Sequence, residues 1–348
     1  MKQKYIYICF FIIISFLLIY QIKVFSYEEN KNILHETTVK IETNSDFKES
    51  IKNENNIKEE NNKSEEIKEE IVTETIETEK QEKTIMVSVI KDNLKLELEE
   101  YIIGVLGCEM PALFEFEALK AGAIAARTYA IEKLSQNINY QFTGTVNDQC
   151  YQTKTELQFK WEDKFTDYYH KIKKAVNETN DLILTYKGNP IKAYYFSVSN
   201  GYTEDSKTVF NEELDYIEIV EAPLDKNTTA YERTVTMNIS DFLTKLKLPM
   251  SERIEIKNLI RNKTNRVDKI TINDKTFSGI EVRTLLGLRS TDFNIEEKSD
   301  QIVIRTLGYG HGVGMSQYGA NELAKTGYKY EEILKYFYKN VEIKNIDA

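Results

Sequence analysis

The first residues of the chain form an almost unbroken apolar run. Residues 5–22 contain only Ser15 and Gln21 as non-aromatic polar side chains, and eighteen such residues are near the lower limit for a helix that spans a bilayer. Lys2 and Lys4 precede the run. Because positive charge stays on the cytoplasmic side of a membrane, this pattern predicts a cytoplasmic N-terminus and an extracytoplasmic position for the residues after the run.

A cleaved secretory signal peptide is the alternative interpretation of this segment. The chain continues after the run as KVFSYEEN, which lacks the small-residue pattern of a cleavage site. We therefore expect an uncleaved single-pass anchor over residues 5–22, with residues 1–4 in the cytoplasm.

Apolar periodicity is absent from residues 23–84. This segment consists mainly of Glu, Lys and Asn, with 17 acidic and 10 basic side chains. It offers too little apolar surface to offset the entropy that ordering the chain would cost. We expect a disordered stalk that spaces a folded body from the membrane, with a binding tail as the alternative.

From Thr84 onward the chain shows the periods of regular secondary structure. Alternating or β-branched runs predict strands at 85–90, 94–98, 181–186, 191–198, 216–220, 234–237, 269–272 and 301–305. Helical spacing predicts helices at 99–106, 115–134, 165–179, 239–245, 279–286, 317–325 and 330–337. Because strands and helices do not alternate regularly, the pattern favours an α+β fold over residues 85–348 rather than a doubly wound sheet. Residues 226–300 are a candidate subdomain.

Charge and cysteine content exclude several classes of protein. The chain has 46 Lys and Arg against 56 Asp and Glu, a net charge of −10, whereas nucleic-acid binding normally needs a basic patch. Of three cysteines, Cys9 lies in the apolar run and Cys108 and Cys150 are far apart in sequence. Because zinc needs about four clustered ligands, we predict no metal and no cofactor.

Cys108 is the one cysteine close to a candidate catalytic group. We expect it to be a small buried side chain that fills space. A nucleophilic pair with His311 is the alternative.

Glu109 is the leading candidate for a catalytic group. Pro111 disfavours helix at Met110, so Glu109 should end one element just before the next begins. Its neighbours along the chain are mostly apolar, and burial by the fold would raise its pKa, as a general acid near neutral pH requires. The alternative is an exposed glutamate in a turn.

The segment after Pro111 predicts a central buried helix. Small side chains cover nearly all of its faces between Ala118 and Ala130, which indicates close packing on several sides. Arg127 in the middle of such a helix is costly unless it meets an anion. That anion is either a structural carboxylate or a catalytic one.

A glycine-rich loop near the C-terminus surrounds His311. Residues 305–320 read RTLGYGHGVGMSQYGA, with glycine at every second position from Gly308 to Gly314. The spacing does not match the dinucleotide fingerprint. Such a loop allows its backbone to approach another surface closely. For His311, a buried structural histidine is the alternative to a functional one.

These stretches together resemble the stage II sporulation protein D family, which includes peptidoglycan lytic transglycosylases and amidase enhancers of spore-forming bacteria. The resemblance covers about residues 85–345. Its most specific motifs are 107–111 (GCEMP), 117–121 (EALKA), 125–129 (AARTY) and 311–317 (HGVGMSQ). Weaker matches are 148–151 (DQCY), 197–204 (SVSNGYTE) and 286–291 (LGLRST).

The resemblance implies a function and a set of site residues. It implies cleavage of the MurNAc–GlcNAc β-1,4 bond to give 1,6-anhydroMurNAc ends, with Glu109 as the catalytic acid and base. Residues expected to bind substrate in or near the cleft are Arg127, Tyr151, Tyr195, Ser199, Tyr216, Asp225, His311, Ser316, Gln317 and Tyr318. Tyrosines suit stacking on sugar faces, and Gln317 suits hydrogen bonding to N-acetyl groups.

The chain departs from the family pattern at several positions. Glu218 stands where the family often has a basic residue, Gly122 where a polar residue is common, and Asn200 where a glycine is common. Some relatives have a His/Cys/Cys set that looks like a zinc site. This chain has Asn147 and Asp148 in that region instead, which also favours no zinc.

The resemblance also implies partners and a location. The expected substrate is peptidoglycan glycan strands stripped of peptide, and the expected partners are a sporulation amidase, stage II sporulation protein P, and other engulfment membrane proteins. The expected place is the mother cell's engulfing membrane, with the folded body facing the intermembrane space. Two other functions stay open. One is a non-catalytic glycan-binding enhancer of an amidase, and the other is a hydrolase that uses Cys108.

Overall fold

A computed structural model describes residues 84–346 of the chain. The predicted anchor at 5–22 and the predicted stalk at 23–84 lie outside these residues, apart from Thr84. Between residues 84 and 346, no helix combines the length and the apolar character that crossing a bilayer requires. The fold is α+β, as the pattern predicts.

The described residues form nine α-helices and fourteen strands, numbered here in chain order. The helices are α1 (Leu98–Glu109), α2 (Phe116–Gln136), α3 (Lys154–Trp161), α4 (Phe165–Asn177), α5 (Ser206–Phe210), α6 (Ile239–Leu246), α7 (Gly279–Leu286), α8 (Gln317–Lys325) and α9 (Tyr330–Phe337). The first seven strands are β1 (Met86–Val89), β2 (Leu94–Glu97), β3 (Gln141–Phe142), β4 (Leu182–Tyr186), β5 (Asn189–Pro190), β6 (Tyr195–Phe196) and β7 (Glu232–Asn238). The others are β8 (Ile256–Arg261), β9 (Val267–Ile272), β10 (Lys275–Ser278), β11 (Asp292–Lys298), β12 (Gln301–Leu307), β13 (Met315–Ser316) and β14 (Glu342–Asn345).

Helix α2 is the centre of the larger hydrophobic cluster, as its small residues predict. It packs against α1, α4, α8, α9 and β4, and most of its side chains are buried. Gly122 shows how closely these helices approach, because a Cβ atom there would collide with the Met110 sulfur. Even an alanine at this position would force Met110 to move.

A second hydrophobic cluster lies between residues 239 and 304. It is built from α6, α7 and two antiparallel sheets with strand orders β10-β9-β8 and β11-β12-β7. Polar contacts join it to the larger cluster: the Asn200 amide donates to the carbonyl of Thr264 at 2.7 Å and to the Asp292 carboxylate at 2.8 Å. The Arg266 guanidinium donates to the Tyr202 carbonyl at 3.0 Å.

Most predicted elements are present, and two predicted strands need correction. Only Tyr195 and Phe196 of segment 191–198 form a strand, and they pair with β13. Residues 216–220 are not a strand. There the Thr203 hydroxyl accepts from Val220 N–H and donates to the Glu218 carbonyl, and the Thr203 N–H donates to the Val220 carbonyl. Side-chain bonds and isolated backbone bonds thus take the place of a regular ladder.

Candidate functional site

Glu109 is the last residue of α1, where Pro111 predicts an element boundary. Met110 has extended backbone angles (φ −116°, ψ 138°), and its N–H still bonds to the Leu106 carbonyl. The proline therefore ends the helix at Glu109. At this boundary Glu109 lines a cavity.

The surroundings of Glu109 favour its protonated form. Burial raises the pKa of the Glu109 carboxyl, and this effect outweighs hydrogen bonds from the Cys150 N–H and the Gln317 side chain and the charge of Lys160, which lower it. The Cys150 N–H donates to Glu109 Oε1 at 2.8 Å. Glu109 also lines a small void of about 10 Å³. Most of the other side chains that line this void are apolar, and Leu106 is one of them. Apolar walls explain the burial effect.

Lys160 on α3 lies at the C-terminal end of α1. Its ammonium donates to the carbonyl of Gly107 at 2.9 Å and to that of Cys108 at 3.4 Å. It thereby satisfies helix-end carbonyls that have no partner within the helix. It is also the charged group whose field lowers the pKa of Glu109.

Cys108 and Cys150 form a disulfide, which corrects the prediction that Cys108 is a buried filler. Their Cα atoms are 5.7 Å apart and 42 residues separate them in sequence. The bond ties the end of α1 to the loop that supplies the Cys150 N–H to Glu109. A disulfide sulfur is not a nucleophile, so the alternative of a Cys108–His311 catalytic pair also fails.

Glu109 opens into a cavity of about 480 Å³. Aromatic side chains form much of its wall, and polar groups come from several separate chain segments. The lining residues include Tyr129, Asn147, Asp148, Tyr194, Tyr195, Phe196, Phe210, Arg283, Tyr309, His311 and Gln317. Aromatic faces with a few polar groups are typical of a site for sugar rings.

The glycine loop places His311 in this cavity. The loop packs directly on residues 194–200: Gly314 has φ +79°, and a Cβ atom there would collide with the Tyr194 carbonyl oxygen. Only glycine allows this approach. His311 Nδ1 accepts from the Val313 N–H at 3.1 Å, and the ring lies 5.2 Å from that of Phe210.

His311 is neutral in this setting. Burial and the charge of Arg283 lower the pKa of His311 to about 4, against a smaller opposite effect of the Tyr195 carbonyl. With Nδ1 accepting, the ring proton is on Nε2. His311 is therefore a hydrogen-bonding group and not a charge at neutral pH.

The structure brings together four of the predicted site residues. Glu109, Tyr195, His311 and Gln317 line the same cavity, and the Tyr195 hydroxyl accepts from the Gln149 amide at 3.1 Å. The remaining seven predicted residues do not line it.

Arg127 does not line the cavity. It lies in the interior of the protein, on the buried helix α2. Its guanidinium is fully buried and makes two 2.6 Å bonds to the Glu99 carboxylate, and it also donates to the carbonyls of Val176 and Leu182. The anion that the buried helix requires is therefore Glu99, a structural carboxylate. Arg127 therefore joins α2 to α1, to α4 and to the first residue of β4.

Asp225, Ser199 and Ser316 form a buried network away from the cavity. One Asp225 oxygen accepts from the Ser199 N–H at 2.6 Å and from the Ser316 hydroxyl at 2.7 Å. Ser316 also accepts from the Gly319 N–H, which caps α8. Burial raises the pKa of Asp225 to about 6. These three residues hold the start of α8 against residues 194–200, the segment on which the glycine loop packs. They thereby fix the position of Gln317, the first residue of α8.

The remaining predicted tyrosines pack in the fold. Tyr151 is buried and stacks on Tyr101 with 5.6 Å between ring centres. The Tyr216 hydroxyl accepts from the Lys192 N–H at 3.0 Å. Tyr318 contacts Phe114 edge to face at 4.8 Å. Each is accounted for by packing inside the protein.

Several cavity residues were missed by sequence reasoning. Tyr129 lies in the motif 125–129 and Tyr309 in the glycine-rich loop, but neither was predicted to line the site. Phe210 and Arg283 carry no local pattern that marks them, because they come from segments far apart in sequence that meet only in the fold. Asp148 lay in a weak motif, but its role there is local: its carboxylate accepts from the Thr143 N–H and hydroxyl and from the Gln149 N–H. Over residues 84–346, no three His, Cys, Asp or Glu side chains gather where they could hold a metal ion.

Comparison with known proteins identifies a family and several relatives that this chain resembles. Residues 88–186 match the family model described as "Stage II sporulation protein". The chain is 39% identical over 258 residues to stage II sporulation protein D of Bacillus subtilis, covering 72% of this chain and 75% of that protein. It is 38% identical to the same protein of Bacillus amyloliquefaciens over the same shares. It is also 29% identical over 293 residues to the amidase enhancer of Bacillus subtilis, covering 68% of this chain and 39% of that protein.

Proposed function

Since the chain belongs to the stage II sporulation protein D family, we propose that it is a sporulation lytic transglycosylase that cuts peptidoglycan glycan strands. In this proposal Glu109 is the catalytic acid and base. The observation that carries it is a carboxyl with a raised pKa facing a cavity walled by aromatic rings. A general acid near neutral pH needs such a pKa, and a purely structural glutamate does not.

The reaction uses one carboxyl group twice. Protonated Glu109 gives its proton to the glycosidic oxygen between MurNAc and GlcNAc, and the bond from that oxygen to the MurNAc anomeric carbon breaks. The C6 hydroxyl oxygen of the same MurNAc then bonds to the anomeric carbon, and its proton returns to Glu109. The product end is 1,6-anhydroMurNAc, no water is consumed, and Glu109 is protonated again.

The sugar's own hydroxyl removes the need for a second catalytic carboxylate. Ordinary glycosidases use two, whereas an intramolecular attack gains from proximity. Asp148 is the other carboxylate that lines the cavity, but the three hydrogen bonds from Thr143 and Gln149 hold it in its own loop. The proposal therefore assigns Asp148 a structural role.

The other cavity groups have roles that suit a sugar polymer. Tyr194, Tyr195 and Phe210 offer faces on which sugar rings stack. Gln317 orients the Glu109 carboxyl and has an amide that suits an N-acetyl group. Neutral His311 adds a further hydrogen-bonding group without a charge.

A non-catalytic glycan-binding enhancer is the second candidate function. The likeness to a protein named amidase enhancer favours it. Such a binder would need the aromatic cavity but not the raised pKa of Glu109, so that pKa favours the transglycosylase. In either case we propose that the body is tethered outside the cytoplasm by residues 5–22 and acts on strands with a sporulation amidase and other engulfment membrane proteins.

The proposed function is tested by the ends of the fragments it makes. The full-length chain is incubated with peptide-free glycan strands, and the products are identified by mass spectrometry for wild type, Glu109→Gln and, as the matched control, Asp148→Asn. We expect anhydro ends from wild type and from Asp148→Asn, and none from Glu109→Gln. Reducing ends that contain an added water would identify a hydrolase, and binding without cutting by all three proteins would identify the enhancer.

A further inference from the structure

Arg283 is the one cationic side chain that lines the Glu109 cavity in the described part of the chain. It belongs to α7, a helix of the second hydrophobic cluster. Glu109, Tyr195 and Gln317 belong instead to elements that pack in the larger hydrophobic cluster. His311 is neutral. The cavity is therefore completed by a positive charge from a part of the chain that contributes no other lining residue.

The Arg283 guanidinium has no acceptor within residues 84–346. None of the ion pairs or side-chain hydrogen bonds among these residues involves it, although it is half-buried. Other arginines of the fold do meet carboxylates: Arg127 pairs with Glu99, Arg261 with Asp292 and Arg305 with Glu232. A partly buried guanidinium with no acceptor among residues 84–346 is costly, so its presence in the wall of this cavity points to an anion that arrives from solution.

The charge of Arg283 acts inside the cavity. It is the largest electrostatic contribution that lowers the pKa of His311, so the guanidinium lies close to that ring. Tyr309 lines the same cavity. An anion on a bound ligand would thus meet Arg283 among aromatic rings and near the histidine.

We propose that Arg283 binds the free lactyl carboxylate of a MurNAc residue in the glycan strand. This inference rests on the proposed function. The lactyl carboxyl is the single ionisable group of a peptide-free glycan strand, because the hydroxyl and N-acetyl groups of its sugars are neutral. A guanidinium presents paired N–H donors in a plane that matches a carboxylate in bidentate geometry.

The proposed contact makes Arg283 a specificity-determining residue. In intact wall the lactyl carboxyl is consumed in the amide bond to the stem peptide, so the anion exists only where that peptide has been removed. Arg283 therefore selects strands on which an amide-cleaving reaction has already acted.

The test compares two strands that differ in this carboxylate alone. Peptide-free strands are used as such and after conversion of their lactyl carboxyls to methylamides, and dissociation constants are measured by calorimetry. The protein is the full-length Glu109→Gln chain, alone or with Arg283→Met, Arg283→Lys or Arg253→Met. Arg253 is exposed on the same part of the chain, so the last variant removes an equal charge outside the cavity.

We expect the Glu109→Gln chain to bind the carboxylate strand about tenfold more tightly than the methylamide strand, as hydrogen bonds to charged groups allow. Arg283→Met should bind both strands equally, at the weaker level, and Arg253→Met should keep the preference. Arg283→Lys should keep part of it, because an ammonium retains the charge but not the planar fork. The net charge of −10 disfavours anions in general, so a non-specific effect would have the opposite sign.

Two results would overturn the inference in distinguishable ways. If Arg283→Met keeps the full preference, or the chain with Arg283 intact shows none, the inference about Arg283 fails and the proposed function stands. If neither strand binds to any of the proteins, the proposed function fails and the inference fails with it.

Discussion

At the scale of single residues, Glu109 combines burial with a small number of opposing contacts. The apolar walls raise its pKa, while the Cys150 N–H, Gln317 and Lys160 limit the rise. The acid form is the active one in the proposed reaction. Activity is therefore present below the raised pKa of Glu109 and is lost as pH rises through it.

Lys160→Met tests this balance. Removing the ammonium removes a charge that lowers the pKa of Glu109, so the alkaline limb of kcat/KM against pH should move to higher pH. The control is Lys164→Met, which removes an exposed lysine from the segment after α3. An unchanged limb, or one that moves to lower pH, would contradict the role given to Lys160.

Asp225→Asn tests the buried network behind α8. Asp225 has a folded pKa of about 6 against a usual value of 3.8. Because the folded pKa is raised, stability is greatest below about pH 4 and falls as pH rises towards 6, by about 3 kcal/mol in all. The asparagine variant should lack this fall, as urea unfolding at pH 4 and pH 7 would measure. A fall of equal size in both proteins would contradict the assignment to Asp225.

How far the sequence predicts the site depends on how local each signal is. Glu109 follows from Pro111, two residues away, and the loop around His311 follows from its glycines. The placement of Arg127 depends on Glu99, 28 residues earlier in the chain, and helical spacing does not show which carboxylate an arginine meets. Arg283 and Phe210 join the cavity only through tertiary packing, and no local pattern in the sequence predicts their position.

At the scale of elements, helices were predicted more accurately than strands. Helices α8 and α9 have the predicted bounds, because apolar faces and capping residues such as Ser316 are local features. The strands β8 and β11 were missed since charged side chains interrupt their alternation. Helix α3 was also missed, although Thr153 and Glu156 form a capping box that is readable in the sequence.

The disulfide links two elements at the site, and its removal should affect both stability and chemistry. The double variant Cys108→Ala, Cys150→Ala opens a loop of 42 residues. Because the unfolded chain then gains conformational entropy, the free energy of unfolding should fall by about 4 kcal/mol. Because Cys150 also donates to Glu109, a looser donor should move the alkaline limb of activity to higher pH. Denaturant unfolding and a pH profile measure the two effects, and a variant with unchanged stability would contradict the structural role.

At the scale of the whole described body, the cavity depends on how the two hydrophobic clusters meet. Arg283 reaches the cavity from one cluster and Glu109 from the other, and Asn200 bridges the two through Thr264 and Asp292. The bridge was not predictable from the sequence, because its partners lie 64 and 92 residues away. We expect the loss of the Asn200 bridge to affect the second hydrophobic cluster more than the larger one.

Asn200→Ala should loosen the second cluster selectively. Removing the amide leaves the buried Asp292 oxygen with weaker hydrogen bonding, at a cost of about 1–3 kcal/mol. Amide hydrogen exchange should accelerate in β8, β9 and β10 and stay unchanged in α2. The control, Asn139→Ala, removes an exposed amide, and equal acceleration throughout the body in Asn200→Ala would contradict the bridge.

The central claim is that a sugar hydroxyl, and not water, attacks the bond that Glu109 protonates. The most direct test is to let the wild-type chain cut peptide-free strands in water labelled with heavy oxygen and to weigh the new ends. The account predicts anhydro ends that contain no label. Labelled reducing ends would show that water attacks, and a second carboxylate, with Asp148 the first to examine, would then have to activate it.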